Sequence, residues 1–375
     1  MCIVVHILFS FAPVHMSLPV RPISDADLGD LHRRLAATRR PGLPRGVDWE
    51  RGTDADFLAG LLEFWRHRYD WRTHEARILN LPWQSVGAGD RALRVVHQRA
   101  ARAGAPVVVL LHGWPDSVLR FGRVLSRLDD VHVIVPALPG FPFAYELTKP
   151  GMTSVVMASL VADAMQSLGH DRYVVSAGDF GADVAEQLAA MHPDRIAALH
   201  LTNISPLHAV FADRSTLDQE ALRYLDSVAV WQRKEGAYIA QQSTKPHTIA
   251  PALADSPAGL AAWLVEKLRC WSHIPFSEDD LLTWISVYWF TGTIGTSFAP
   301  YVEFAPPPPY VRTPAVLSAF AHDIKLAPRG FASRFVNVQA FIEHESGGHF
   351  AAWEQPARYV EDLRRAIALT HLSRS

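Results

Sequence analysis

Three short stretches hold residues whose types and spacing can do chemistry. In the first, the β-rich run Tyr173-Val174-Val175-Ser176 passes into Gly178-Asp179-Phe180-Gly181, and a helical pattern follows with Val184, Leu188 and Met191 on one face. Strand, sharp turn and helix make an elbow that lifts one side chain above the end of a parallel sheet, so its neighbours must be small. The lifted residue is Asp179. A serine there would mark an esterase and would first have to lose a proton. A carboxylate, with a reference pKa of about 3.9, is already an anion at neutral pH and can attack carbon directly. The plainer reading of the stretch on its own is a strand, turn and helix with a solvated aspartate, and the functional reading is preferred to it.

The second stretch, His112-Gly113-Trp114-Pro115-Asp116-Ser117, follows the apolar run Val107–Leu111. In an elbow architecture, backbone N–H groups here and just after the nucleophile form an oxyanion hole, which assigns the donors to Trp114 and Phe180. Trp114, Pro115 and Phe180 are expected to line the substrate pocket. His112 reads as a structural histidine that holds the turn. The third stretch is Gly347-Gly348-His349-Phe350, a histidine on a glycine-rich loop after the last strand. It completes the order nucleophile, acid, histidine. Asp323, three residues after Phe320, is the choice for the acid, with Glu343 and Glu345 as rivals. Asn203 could orient a partner but could not balance charge.

These groups need a frame. Leu93–Gln98, Val107–Leu111, Val131–Val135, Val174–Ser176, Ala198–Asn203, Ala315–Phe320 and Val336–Ile342 read as strands, with a helix over Val155–Leu168 between two of them and a closing helix over Gln355–Leu369. Strands alternating with helices predict an α/β protein with a mostly parallel sheet that starts near Leu93, and its ligands bind beyond the carboxyl ends of the strands. From about Ser205 to Tyr310 the alternation stops. Helices are predicted over Gln219–Trp231, from Ser256-Pro257 through Trp271, and from the capping box Ser277/Asp280 through Phe290. A helical insertion between two sheet strands reads as a lid, and Pro306–Pro309 as a stiff connector. Ahead of the sheet, Ser24/Asp27 boxes one helix, ended by Pro41, Gly42 and Pro44, and a second runs through Asp54–Trp65 with its apolar stripe turned to the main domain. The boundaries follow: a leader over 1–16, an accessory segment over 17–90, a core over 91–204 and 311–375, and the lid over 205–310.

Composition excludes several classes. The chain has 375 residues, 49% hydrophobic and 20% charged, with a formal net charge of -2, so no basic stripe points to nucleic acid. Two cysteines, Cys2 and Cys270, are too few for a disulfide scaffold and lack metal-ligand spacing, which fits a reducing cytoplasm. The apolar run near the start is shorter than the roughly 20 residues a bilayer span takes. The expectation there is a disordered or loosely docked leader, with Met16 a second candidate start and a membrane-touching anchor the weaker reading. A homodimer stays open.

From about residue 20 the chain resembles the epoxide hydrolases of the microsomal type, a branch of the α/β-hydrolase superfamily. The resemblance rests on Ser24–Arg39 with Trp65-Arg66-His67-Arg68-Tyr69-Asp70-Trp71-Arg72, on the three loops above extended through Glu354, and on Thr244-Lys245-Pro246, Asp255–Trp263 and Thr291-Gly292-Thr293-Ile294. It implies an α/β-hydrolase fold with a helical lid and no cofactor or metal. It also implies a small-molecule epoxide substrate and two lid tyrosines that hold and protonate the epoxide oxygen. By position these match Tyr238, seven residues before Lys245, and Tyr301 in Pro300-Tyr301-Val302-Glu303, with Tyr310 as rival to the latter. The chain departs from the pattern at His247 and Ala299. The implied reaction is attack of Asp179 on an epoxide carbon, followed by hydrolysis of the ester by water that His349 and Asp323 activate. A haloalkane dehalogenase with the same Asp–His chemistry, a ligand-binding homologue without activity and a tailoring enzyme for one complex epoxide are the alternatives.

Overall fold

The computed structural model describes residues 20–42 and 46–372. The expected leader, with Cys2 and Met16, lies outside the described residues, as does Pro44. Eight strands form one sheet: β1 (Trp83–Val86), β2 (Leu93–Gln98), β3 (Val107–Leu111), β4 (His132–Pro136), β5 (Tyr173–Ala177), β6 (Ile196–Leu201), β7 (Val311–His322) and β8 (Val336–Gly348). Their order is β1-β2-β4-β3-β5-β6-β7-β8. β1 and β2 run antiparallel to their neighbours, and every pair from β4 to β8 is parallel. The sheet therefore begins ahead of the expected Leu93. β1 escapes notice because its four residues show three half-buried positions and one buried, with no alternation to read.

The apolar runs become central strands for a simple reason. Val108, Val109, Leu110 and Leu111 are all fully buried, which requires cover on both faces. Helices Ser154–Ser167 and Phe180–Met191 pack together, and helix Pro356–Leu372 lies on β5, β6 and β7. β7 and β8 run past their expected ends, so the loops carrying Asp323 and His349 leave the sheet together.

Between β6 and β7 the chain is helical. Gln219–Glu235, Ala237–Thr244, Pro246–Asp255, Pro257–Cys270, Glu278–Thr291 and the short Ala299–Val302 follow one another. The expected caps are present, since Ser256 Oγ accepts the Gly259 N–H and Ser277 Oγ accepts the Asp280 N–H. The N-terminal helices Asp25–Ala36 and Ala55–His67 pack against this insertion, where the second stripe was expected to face the main domain. Leu61, Leu62 and Trp65 are buried there. Arg34 Nη1 reaches Asp255 Oδ1 at 2.7 Å, Thr53 Oγ1 donates to Ala262 O at 2.6 Å, and the Tyr69 hydroxyl lies 3.0 Å from Thr283 Oγ1.

Candidate active site

β5 runs into Asp179, which adopts φ 53° and ψ -138° at the start of helix Phe180–Met191. That conformation is costly for a residue with a side chain, so the surroundings must hold it. They do so from two sides. The Asp179 N–H donates to Asn203 Oδ1 at 2.7 Å, and Asp179 Oδ1 accepts the Trp114 N–H at 2.7 Å. Glycine is needed opposite, because a Cβ on Gly113 would stand 2.2 Å from Asp179 Oδ1.

The Gly113 turn is braced from behind. His112, fully buried, accepts the Leu138 N–H through Nε2 at 3.2 Å, so it holds the turn. Asp116 Oδ1 accepts the Gly113 N–H at 2.8 Å, and its other oxygen pairs with Arg120. Burial works against the Asp116 anion, but Arg120 and His112 outweigh it and hold the carboxyl at about 2. Arg120 also donates to His349 O at 2.7 Å, tying this turn to the histidine loop.

His349 is almost fully buried. Its Nδ1–H donates to Asp323 Oδ1 at 2.8 Å, which fixes the ring, and its N–H donates to Trp271 O at 2.8 Å. Nε2 stands 3.2 Å from Asp179 Oδ2, an ion-pair contact without the alignment of a hydrogen bond. Burial disfavours the imidazolium, yet the charges and hydrogen bonds of Asp323 and Asp179 prevail, and His349 is pushed up to about 10.

Tyr238, on helix Ala237–Thr244, and Tyr301, on helix Ala299–Val302, meet edge-on with ring centroids 6.0 Å apart. Burial pushes both phenols well above their ordinary value, and the Asp179 charge adds to the rise, so both stay neutral O–H donors. Trp114 fixes the pair. Its ring stacks on Tyr238 at 5.5 Å and meets Tyr301 edge-on at 5.8 Å, while its Nε1–H donates to Ser297 Oγ at 3.2 Å.

Asp179, Phe180, Tyr238, Tyr301, Asp323 and His349 line one cavity of about 290 Å³, otherwise walled largely by apolar side chains. Trp114 and Pro115, expected on its wall, do not line it, because Trp114 is fully buried behind the tyrosines it packs. Among the rival residues, Glu343 and Glu345 are exposed on β8, and Tyr310 is exposed in the connector. Neither His247 nor Ala299 reaches the cavity. Asp183 also lines the cavity, and no motif marks it. It lies four residues beyond Asp179, on the same side of the helix as Glu186 and Gln187 and off the Val184/Leu188/Met191 stripe, so the sequence pattern gives no signal of it.

Residues 19–121 match the family model described as epoxide hydrolase N terminus, and residues 106–249 match that of the alpha/beta hydrolase fold. A protein of Stigmatella aurantiaca (strain DW4/3-1), provisionally named an epoxide hydrolase, is 35% identical over 92% of this chain and 83% of its own length. Epoxide hydrolase 1 of Sus scrofa is 26% identical over 92% of this chain and 87% of its own. Among solved structures, Aspergillus niger epoxide hydrolase is 27% identical and superposes with a TM-score of 0.84 over 93% of this chain and 95% of that one. Juvenile hormone epoxide hydrolase from Bombyx mori, 24% identical, shares the fold with a TM-score of 0.83, covering 95% of this chain and 94% of that one. No helix among the described residues is long and apolar enough to cross a membrane.

Proposed function

The chain belongs to the epoxide hydrolases, and from that premise we propose that it opens a small-molecule epoxide to a vicinal diol through a covalent ester on Asp179. The observation that carries the reading is the position of Asp179. It lies between the Trp114 N–H and His349, on the wall of a cavity that also presents Tyr238 and Tyr301.

Asp179 Oδ1 is engaged by Trp114, so Oδ2 attacks. It forms a bond to one ring carbon as that carbon's bond to the epoxide oxygen breaks. The electron pair goes to the oxygen, where the Tyr238 and Tyr301 hydroxyls donate hydrogen bonds to the growing charge. The proton that finally sits on this oxygen is matched by the one His349 gives up. Esterification removes the Asp179 charge, one of the influences that raise His349, and so frees the imidazole to act as a base only once there is an ester to hydrolyse. His349, held by Asp323, then takes a proton from water as the oxygen of that water adds to the ester carbonyl. The Trp114 and Phe180 N–H groups hold the oxyanion. Collapse releases the diol with Oδ2, and the new carboxyl gives its proton to the departing alkoxide. Asp179 is again an anion and His349 again charged.

In this reading the helices between β6 and β7 are a cap that brings the tyrosines to the core, and the segment before β1 is an accessory clamp on that cap.

The test uses His349→Gln, which should form the ester but hydrolyse it slowly. The variant is incubated with a panel of epoxides and haloalkanes, the intact protein is weighed, and the adduct is mapped by peptide analysis. An adduct with the full mass of an epoxide on Asp179 is expected. An adduct from a haloalkane that has lost its halide would instead mark a dehalogenase. No adduct with any compound would overturn the covalent scheme.

A further inference from the structure

Asp183 is not needed by the scheme above, yet it reaches the same cavity. It is 6% exposed and lies in the first turn of helix Phe180–Met191, four residues beyond Asp179. Its Oδ1 accepts the Ser205 hydroxyl at 2.5 Å, and among the described residues no other residue hydrogen-bonds this carboxyl. Ser205 is itself fixed, since its N–H donates to Glu186 Oε1 at 2.7 Å, and Glu186 Oε2 lies 2.6 Å from His208 Nε2. All four side chains are buried.

Among the described residues no Lys, Arg or His pairs with Asp183. A lone buried anion beside two other carboxylates is costly, and the inexpensive state is the neutral acid. Burial indeed pushes this carboxyl well above its ordinary range. Ser205 opposes the rise, and the charges of Glu186 and Asp179 add to it. With Oδ1 accepting from Ser205, the carboxyl hydrogen belongs on Oδ2, and the residue that carries it lines the cavity.

We propose that Asp183 is a specificity residue whose carboxyl O–H donates to an acceptor oxygen of the substrate, a carbonyl, ether or hydroxyl remote from the carbon that Asp179 attacks. The substrate class is thus an oxygenated epoxide, and an all-carbon one leaves a buried hydroxyl unpaired. This rests on the epoxide reading for its reacting end, while the remote contact is independent of it.

The test is a series of terminal epoxides with eight-atom chains, in which one ether oxygen moves along the chain, set against 1,2-epoxyoctane. The readout is the ratio of kcat/KM for each ether to that for the hydrocarbon, so a general loss of activity in a variant cancels. The wild-type protein should prefer one oxygen position by roughly three- to tenfold, the worth of one neutral hydrogen bond. Asp183→Asn, which keeps a donor, should retain the preference, and Asp183→Leu should bring the ratio near one. No preferred position in the wild type, or a preference that survives in the leucine variant, overturns the proposal. If the leucine variant does not fold, the wild type still decides. A greater preference for the analogue with an amine in place of the ether oxygen would mark an ionised carboxylate and also overturn it. Affinities of the matching diols, measured by calorimetry, carry the same comparison without turnover. A protein that opens no epoxide but holds the oxygenated diol through Asp183 would sink the reaction scheme and leave this contact standing.

Discussion

His349 stands between two carboxylates, and its charge answers to both. In an unfolded chain a histidine titrates near about 6.5, whereas in the fold it is pushed up to about 10. The folded state holds the proton more tightly. Its contribution to stability is therefore complete below about pH 6.5 and is lost as the pH rises through the folded value. Urea unfolding of the wild type and His349→Gln from pH 6 to pH 10 should show their stability difference changing against the wild type as the pH rises; a constant difference would mean that His349 is neutral throughout. Oxygen atoms offer a second check. In the proposed scheme Oδ2 leaves with the diol, so a single turnover in oxygen-18 water should label Asp179 and leave the diol unlabelled, and label in the first diol would exclude the ester. Tyr238→Phe and Tyr301→Phe should each slow ester formation by roughly a hundredfold, the usual cost of one donor to a developing oxyanion. Neither should slow ester hydrolysis, and stopped-flow tryptophan fluorescence separates the two steps. That Asp179, His349 and Asp323 meet was legible in the sequence, from the small residues beside Asp179 and the glycines before His349 and from the chain order the proposed chemistry asks for. Tyr238 and Tyr301 came only from resemblance, since a tyrosine on an amphipathic helix looks the same whether its hydroxyl meets water or substrate. Asp183 left no mark, because it shares the polar face of its helix with Glu186 and Gln187.

At the scale of elements, helix Phe180–Met191 does more than follow Asp179. It rides on the end of β3, and a Cβ on Gly181 would stand 2.5 Å from Leu111 O and 2.7 Å from His112 O. Both are backbone atoms that cannot step aside. Gly181→Ala should cost roughly 1–3 kcal/mol in thermal or urea unfolding, and it should lower the rate of ester formation as well, because the helix start carries Asp179. Unaltered unfolding would mean that the turn after β3 gives way. The central strands were legible as continuous apolar runs, and the long helices through their capping boxes. β1 was not, being too short to show a period. The ends of β7 and β8 were also missed, because β7 closes on two exposed residues and β8 passes through alternating exposed and half-buried positions before its two buried glycines. The partner of the Ala55–His67 stripe could not be read at all. Periodicity says that a face is covered, not by what.

For the whole molecule, that partner matters. Trp65 is buried between the N-terminal helices and the insertion, so Trp65→Ala should cost roughly 3–5 kcal/mol. Hydrogen exchange should then rise in helices Pro257–Cys270 and Glu278–Thr291 well before it rises in β3 and β5; a uniform rise would mean that the two layers unfold as one. The insertion leaves the sheet after β6 and returns to it at β7, and Arg34, Thr53 and Tyr69 fasten it a third time. A body pinned at two points can still swing about the line between them, like a door. A third pin away from that line removes the hinge. Traffic into the cavity must then pass a fixed doorway, where Val210 and Phe304 line the opening with much of their surface bare to solvent. What is admitted is set by the width of that frame rather than by the swing of a gate.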